Sequence, residues 1–275
     1  MKRIRRQMSR RCALCVLLPC LVQLACNVRE PGCLDIEAEN FDFEAERHDA
    51  SLCIYPDLVL NVFYQWADSS LQTGYLYHNA SGIDYAIHSI QILFSGFVVQ
   101  NAEGEDLSID ERVTIMTGSC TSGTQHQVPD DFLFVDRSAF NYALGAFRGS
   151  GPMHLVRVST GMPDDYTPMC LESLPASHLL RGVRAGYDEQ LGDFALGRFI
   201  ISKDSVNAVR DTFFAYGLTE ELQFDLSRTF RQGRRDTIFM AIDFHQIFDP
   251  IDLSQDADSV ANDIGSRISA TVSVH

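Results

Sequence analysis

Asp84-Tyr-Ala-Ile-His-Ser-Ile-Gln-Ile-Leu-Phe-Ser-Gly-Phe-Val-Val-Gln100 is the stretch that decides the fold class, and Asn101-Ala-Glu-Gly-Glu-Asp106 follows it. One parity of this stretch is mostly apolar and includes Ala86, Ile90, Ile92 and Phe94. This period of two predicts a β-strand with one face on a core. From 92 to 99 both parities are apolar except at Ser95-Gly96, which predicts burial on both faces and a bulge or bend at these two residues. The turn residues at 101–106 predict a hairpin into Leu107–Met116.

Strand patterns recur along the chain with turn residues between them, as in a sandwich or barrel. The predicted strands are Leu58–Tyr64, Gly74–Tyr77, Tyr85–Gln100, Leu107–Met116, Phe132–Val135, Met153–Ser159, His178–Ala185, Leu222–Leu226, Thr237–Phe244 and Ile268–Val274. Spacing and capping residues predict one helix over Val206–Phe214 and another from Ala257 to Ile264, ended at Gly265. We therefore predict an all-β fold, a mainly antiparallel β-sandwich with one or two short helices.

The charge of the chain limits its partners. The 275 residues have a formal charge of −15 and are 45% hydrophobic, which is enough for one sizeable core. Residues 1–25 contain six basic residues and no acid, so removing them takes the formal charge from −15 to −21. Such an acidic surface repels nucleic acid, and we exclude that class of partner.

The amino terminus has the pattern of a signal peptide over residues 1–25. Met1–Arg11 is basic, Cys12–Leu24 is apolar, and Gln23-Leu24-Ala25-Cys26 follows. A small residue before a cysteine resembles a bacterial lipoprotein box, which predicts lipid attachment at Cys26 and a membrane anchor. Ordinary signal cleavage, with Cys26 incidental, is the alternative. No later apolar run is long enough to span a bilayer.

Four cysteines remain beyond the predicted signal peptide and Cys26: Cys33, Cys53, Cys120 and Cys170. An even number outside the cytoplasm indicates disulfides, for which four cysteines allow three connectivities. Proximity in sequence favours Cys33–Cys53, which leaves Cys120–Cys170. A metal cluster is the alternative, but the mature chain has no Cys-x-x-Cys spacing.

Residues 26–57 are predicted to be an acidic, lipid-anchored tether. The segment resembles a short Cys-bounded module of secreted bacterial proteins, with matches at Gly32, Cys33, Asp35, Ala38, Asn40, Phe41, Asp42, Asp49, Ser51, Cys53 and Tyr55. Its few apolar groups cannot build a core, so we expect the bridge to hold it together. The acids lack the alternating order of a calcium loop, which favours a solvated stalk.

Residues 58–275 resemble the MbnP-like domain, a family named for a copper-binding protein associated with methanobactin. The similarity lies in Tyr85–Gly104, in the Asn79–Gly82 turn before it, in Leu174-Pro175 with Val183–Asp188, and in Thr237–Phe248. It implies a secreted or lipid-anchored β protein of the periplasm or cell surface, attached to the outer membrane. It also implies copper handling beside a di-haem cytochrome peroxidase. The family's tryptophan before a Gly-aromatic pair is missing at Asp211–Gly217, and its early histidine is missing from the first strand.

Soft side chains that suit copper(I) are densest in one region. They are Met153, His154, Met162 and Met169, in loops beside the predicted Cys120–Cys170 bridge. The competing interpretation is that the methionines fill gaps in the core. Asp243 and His245 share one strand parity and could chelate or hydrogen-bond each other. His88 lies on a mostly apolar parity and is better explained as a half-buried, hydrogen-bonded histidine.

Catalysis has little support in the sequence. The chain has no Gly-x-Ser-x-Gly elbow, and the pairs Asp130-Asp131 and Asp164-Asp165 occur in turn-like contexts of an acidic protein. We therefore predict a non-enzymatic binding protein of the envelope, of the MbnP-like type, with copper as the cofactor implied by the resemblance. The alternative is an interaction or adhesion module that binds a protein or a glycan.

Overall fold

The computed structural model describes residues 30–182, 186–188, 193–217 and 219–275. The predicted signal peptide and Cys26 lie outside these ranges. The chain divides into two compact units with the boundary between Ile54 and Tyr55. No helix among the described residues is long and apolar enough to cross a membrane.

The first unit is a small disulfide-bonded module. Strands β1 (Pro31–Gly32) and β2 (Arg47–His48) pair in parallel, and a 3₁₀ helix covers Ala50–Leu52. The predicted Cys33–Cys53 bridge is present. Among the described residues of this unit, only Cys33 and Ala38 are buried apolar side chains, so the bridge takes the place of a core.

The second unit contains the other strands: β3 (Asp57–Trp66), β4 (Ser69–Ser70), β5 (Leu76–His78), β6 (Asp84–Asn101), β7 (Asp106–Leu107), β8 (Arg112–Thr117), β9 (Thr124–Pro129), β10 (Leu133–Asp136), β11 (Asn141–Ala146), β12 (Gly151–Thr160), β13 (Tyr187–Asp188), β14 (Asp193–Phe194), β15 (Gly197–Lys203), β16 (Arg210–Ala215), β17 (Glu220–Phe230), β18 (Asp236–Asp243) and β19 (Val272–Val274). The α-helices among its described residues are α1 (Leu179–Gly182), α2 (Phe244–Phe248) and α3 (Ala257–Ile268).

Two sheets form the predicted sandwich. The first has the order β16-β15-β6-β12-β17, and β5, β7 and β10 also pair with β6, all antiparallel. The second has the order β11-β3-β18-β19, with β4 paired to β3. Within it, β3 and β18 run parallel from Leu58 opposite Asp236 to Gln65 opposite Asp243. The mainly antiparallel all-β prediction is confirmed, with this one parallel pair in the second sheet.

The main core lies between the sheets. Alternate residues of β3 point into it, namely Leu58, Leu60, Val62 and Tyr64. From β6 it takes Tyr85, Ile87, Ile90, Ile92, Phe94, Phe97 and Val99. The inward parity of β6 therefore changes twice, because the pairing register shifts near Ser89 and again between Ser95 and Val98. The predicted bulge is confirmed at the second shift, where Gly96 has φ +65°.

A second cluster covers part of the outer side of the first sheet. It is built on Leu93 of β6, on the β8–β9 hairpin and on the segment 162–180, with Phe194. Burial of Leu93 beside Phe94 confirms the prediction that β6 is buried on both faces. The predicted Cys120–Cys170 bridge links the turn of the β8–β9 hairpin to that segment.

Several local predictions were wrong. The helix over Val206–Phe214 is instead a turn followed by β16, in which Phe213 and Ala215 alternate into the core. The strand over His178–Ala185 contains α1, and residues 183–185 lie outside the described ranges. The hairpin after β6 is confirmed only for β7, because β8 pairs with β9 and not with β6.

The carboxyl-terminal elements also differ in their bounds. Helix α3 begins as predicted, with Asp256 accepting the Ser259 N–H at 3.0 Å, but it continues to Ile268. Gly265 does not end it: a Cβ there would lie 2.4 Å from the carbonyl oxygen of Tyr216, so glycine allows a close backbone approach. The strand predicted over Ile268–Val274 therefore begins only at Val272.

Candidate functional site

The four predicted copper ligands do not come together as one set. Met153 is buried in the main core, whereas His154, the next residue of β12, is exposed. Met162 and Met169 are both buried in the second cluster. Their surroundings are those of apolar packing residues.

The cysteines of the second unit lie beside a carboxylate. A Glu172 carboxylate oxygen is 3.9 Å from Cys120 Sγ and 3.8 Å from Cys170 Sγ. Within the described part of the chain, these are the one group of three His, Cys, Asp or Glu side chains whose ligand atoms lie within 4.8 Å of one another. In the structure both sulfurs are consumed by the disulfide, so they offer no thiolate to a metal.

The histidines singled out in the sequence have ordinary partners. His88 Nε2 lies 2.8 Å from Ser202 Oγ, and burial lowers the pKa of this imidazole. Asp243 does not pair with the imidazole of His245, because the strand ends at Asp243 and α2 begins. Instead the Asp243 carboxylate caps α2 by accepting the His245 backbone N–H at 3.1 Å.

The single tryptophan is part of an aromatic cluster at one end of the sandwich. Trp66 stacks on Tyr77 with ring centroids 3.8 Å apart and meets the edge of His245 at 5.4 Å. Tyr85 lies below it, fully buried, and its hydroxyl has no hydrogen-bond partner among the described residues. Burial raises the pKa of this phenol.

The two sheets differ in their outer sides. Side chains on the outer parity of β3 and β18, which we call the outer face, include Asn61, Phe63, Gln65 and Phe239. Phe63 is 46% exposed and stacks on Phe239 with centroids 6.1 Å apart and planes 26° apart. The Arg228 guanidinium lies 4.9 Å from the centre of the Phe239 ring. One exposed aromatic ring, backed by a partly buried one, is thus presented to solvent on a regular sheet.

A shallow depression of about 420 Å³ adjoins the outer face at Phe63. It is lined by Phe63, Tyr64, Gln65, Ala67, Asp68, Ser69, Ser70, Arg137 and Phe140. The Arg137 guanidinium lies 5.5 Å from the centre of the Tyr64 ring and 5.2 Å from that of Phe140. Its Nη2 donates to the Leu71 carbonyl oxygen at 2.8 Å. These contacts hold a cation in place at the wall of the depression.

The loop that carries Arg137 is held by two tyrosines. The Tyr64 hydroxyl donates to the Asp136 carbonyl oxygen and lies 2.7 Å from the Tyr142 hydroxyl. The Tyr142 hydroxyl in turn accepts the Asp136 backbone N–H at 2.9 Å. Burial, followed by the bond to Tyr142, raises the pKa of Tyr64, so this phenol stays protonated. The depression is therefore built on fixed elements.

Sequence reasoning did not find this site. Arg137 and Phe140 lie in a turn that carries no motif, and β4, at the end of β3, is only two residues long. One signal was available: Phe63 stands between Asn61 and Gln65 on the polar parity of β3, where an aromatic residue is unexpected.

The fold and the site define an all-β sandwich with an exposed aromatic sheet face and an adjoining polar depression. No family model and no curated protein matches the chain. Among solved structures it is similar to MbnP from Methylosinus trichosporium, with 12% sequence identity and a TM-score of 0.46 over 79% of this chain and 97% of that chain. Similarity at this level identifies no functional residue.

Proposed function

We propose that this protein is a non-enzymatic binding protein of the cell envelope that engages a macromolecular partner through the outer face of its second sheet. The observation that carries the proposal is the exposed Phe63, stacked on the partly buried Phe239, with the Arg228 guanidinium over the Phe239 ring. Aromatic residues and arginine are enriched at the centres of protein interfaces, whereas acids are depleted there.

The chemistry of the outer face contrasts with the rest of the chain. Although the whole chain has a formal charge of −15, β3 between its terminal Asp57 and Trp66 contains no charged residue. Asn61 Nδ2 donates to Asn141 Oδ1 of β11 at 2.6 Å, which adds neutral amides next to the rings. Around the two rings, the outer face therefore presents amides and one arginine instead of the acids that dominate the chain, which favours it as a docking surface.

The envelope location rests on separate support. Residues 1–25 have the pattern of a signal peptide, and Cys26 is the proposed site of lipid attachment. Two disulfides favour an oxidising compartment. The protein would then be held at the periplasmic or outer surface of the outer membrane.

Copper handling beside a di-haem cytochrome peroxidase is the second candidate, implied by the family resemblance of the sequence. It requires two or more soft ligands held together. Only Met162 and Met169 share a cluster, whereas Met153 lies in the other and His154 is exposed. The four candidates are therefore not held as one ligand set, and we expect Cu(I) binding to be weak or absent.

The proposal is tested by binding of the purified Cys26→Ser protein to isolated envelope fragments, measured by co-sedimentation. We expect saturable binding that falls at least about tenfold in the double variant Phe63→Ala, Phe239→Ala, because the aromatic anchors are removed. The matched control is Tyr75→Ala, which truncates a 55% exposed aromatic residue elsewhere in the same unit. Equal binding by the double variant and the wild type would contradict the proposal.

A further inference from the structure

We infer that the depression around Arg137 binds a sugar residue of an envelope glycan. The inference rests on the proposed function and names the class of its ligand. It is carried by three properties of the depression: a fixed guanidinium, neighbouring groups that both donate and accept hydrogen bonds, and two partly exposed aromatic rings.

The guanidinium of Arg137 is placed before any ligand arrives. The rings of Tyr64 and Phe140 lie on it at 5.5 and 5.2 Å, and Leu71 accepts one of its N–H groups. Its Nε is buried and has no hydrogen-bond partner within the described ranges of the chain. Of the five N–H donors of an arginine, one is bound by Leu71 and the Nε–H is buried, so the N–H groups left for a ligand are those of the two Nη atoms.

The other polar groups make a small anion or a purely apolar molecule a poorer fit than a ligand that both donates and accepts hydrogen bonds. Asp68 lies exposed in the lining and would repel a small anion held by Arg137. Asp136 is next to Arg137 in sequence but is not in the lining, and its carboxylate already accepts the Ser138 N–H at 2.8 Å. A purely apolar ligand would leave the donors of Arg137 without partners, which is costly.

A ligand with several hydroxyl groups satisfies this lining. Arg137 donates, Asp68 accepts, and the amide of Gln65 does both. The Ser69 hydroxyl donates to the Trp66 carbonyl oxygen at 3.0 Å and retains its acceptor capacity. Two vicinal hydroxyl groups of a sugar can form a pair of hydrogen bonds with one planar guanidinium or one carboxylate.

The rings supply the apolar part of sugar recognition. Phe63 is 46% and Phe140 50% exposed, and the electron-rich face of an aromatic ring attracts the polarised C–H groups on one side of a pyranose. A volume of about 420 Å³ lies within the range of small-ligand sites. The depression continues at Phe63 into the outer face, so neighbouring sugar residues of the same glycan would lie along β3.

The test is calorimetric titration of the Cys26→Ser protein with four hexasaccharide probes, built of glucose, mannose, N-acetylglucosamine and galacturonate. We expect at least one probe to bind saturably, and the comparison of neutral and acidic probes shows whether Arg137 reads hydroxyl groups or a carboxylate. Arg137→Lys should weaken that binding at least about tenfold, because an ammonium lacks the planar fork. Arg148→Lys is the matched control, since Arg148 also lies on an aromatic ring, that of Tyr55 at 4.8 Å.

If Arg137→Lys does not fold, the double variant Ser69→Ala, Ser70→Ala tests the same lining, and its thermal unfolding is compared with that of the wild type. The inference is overturned if none of the four probes binds. It is also overturned if binding is unchanged in the folded variants or if Arg148→Lys weakens it equally. Envelope binding that depends on Phe63 and Phe239 without any binding of the probes would refute the glycan while leaving the proposed function standing.

Discussion

The buried carboxylate of Asp131 accepts the backbone N–H of Phe97 at 2.6 Å. Its other oxygen accepts the N–H of Gly96 at 3.1 Å, so one side chain satisfies both amides of the bulge in β6. The bulge moves Phe97 to the main core and keeps the long central strand buried on both faces. This arrangement buries an ionisable carboxyl group: Asp131 is 3% exposed, and burial raises its pKa from 3.8 to about 6.

We expect Asp131→Asn to change the pH dependence of stability. Between pH 3.8 and about 6 the folded wild type holds a proton on Asp131 that the unfolded chain releases. The contribution of this group to stability therefore rises as the pH falls through that window, and is lost above it. The variant lacks this contribution, so its deficit relative to wild type should grow by roughly 2–3 kcal/mol from pH 7 to pH 4.

Urea unfolding of both proteins at several pH values measures this difference. Other carboxyl groups titrate in the same range, but they are common to wild type and variant and cancel in the comparison. The variant should also lose about 1–3 kcal/mol at all pH values, because an amide can accept only one of the two N–H bonds without placing its NH₂ against a donor. A deficit that stays constant with pH would show that Asp131 is ionised throughout.

Removal of the second disulfide should loosen one region of the sandwich. The Cys120–Cys170 bridge closes a loop with a sequence separation of 50, for which the chain-entropy model gives about 4 kcal/mol. We expect the double variant Cys120→Ser, Cys170→Ser to lose hydrogen-exchange protection first in β8 and β9, which pair only with each other among the described strands. The control is Cys33→Ser, Cys53→Ser, which should leave β8 and β9 protected because that bridge belongs to the first unit.

Lipid attachment at Cys26 predicts a change in cell fractionation. In the native host, the wild type should sediment with membranes. Cys26→Ser removes the proposed lipid attachment site, so this variant should move to the soluble fraction. Immunoblotting of the two fractions measures the shift. If the substituted protein stays with the membranes, either the anchor lies elsewhere or a bound partner holds it there, and washing with high salt separates these outcomes.

Copper(I) binding is expected to be weak or absent, against the implication of the family resemblance. A competition titration with a chromophoric chelator measures it, and any binding should disappear in the triple variant Met153→Leu, His154→Ala, Met162→Leu. The Met→Leu changes conserve volume at buried positions, so the variant should still fold. Roughly nanomolar affinity, near −12 kcal/mol, that persists in the variant would refute both statements.

The sequence by itself determined the fold class and the strands β3, β6, β12 and β18, and it favoured the disulfide pairing that the structure has. Alternation along β3 and β6 is a local property, because neighbouring side chains of a strand point to opposite faces whatever the partner strand is. The spacing of four cysteines favoured Cys33–Cys53 and so left Cys120–Cys170. In the first unit, Asn40 of the recognised motif donates to the Leu52 carbonyl oxygen at 2.7 Å, which explains its place in the pattern.

Only the tertiary structure decided which strands pair and which distant segments pack together. The parallel pairing of β3 with β18 and the placement of β8 and β9 over Leu93 join segments far apart in sequence, so no local period records them. For the same reason β16 was mistaken for a helix: Val206, Val209 and Phe213 have helical spacing, but Phe213 pairs with Phe199 across a sheet. The Arg137 site is assembled from β3, β4 and a turn some 70 residues later, since packing against Tyr64 and Phe140 places its guanidinium.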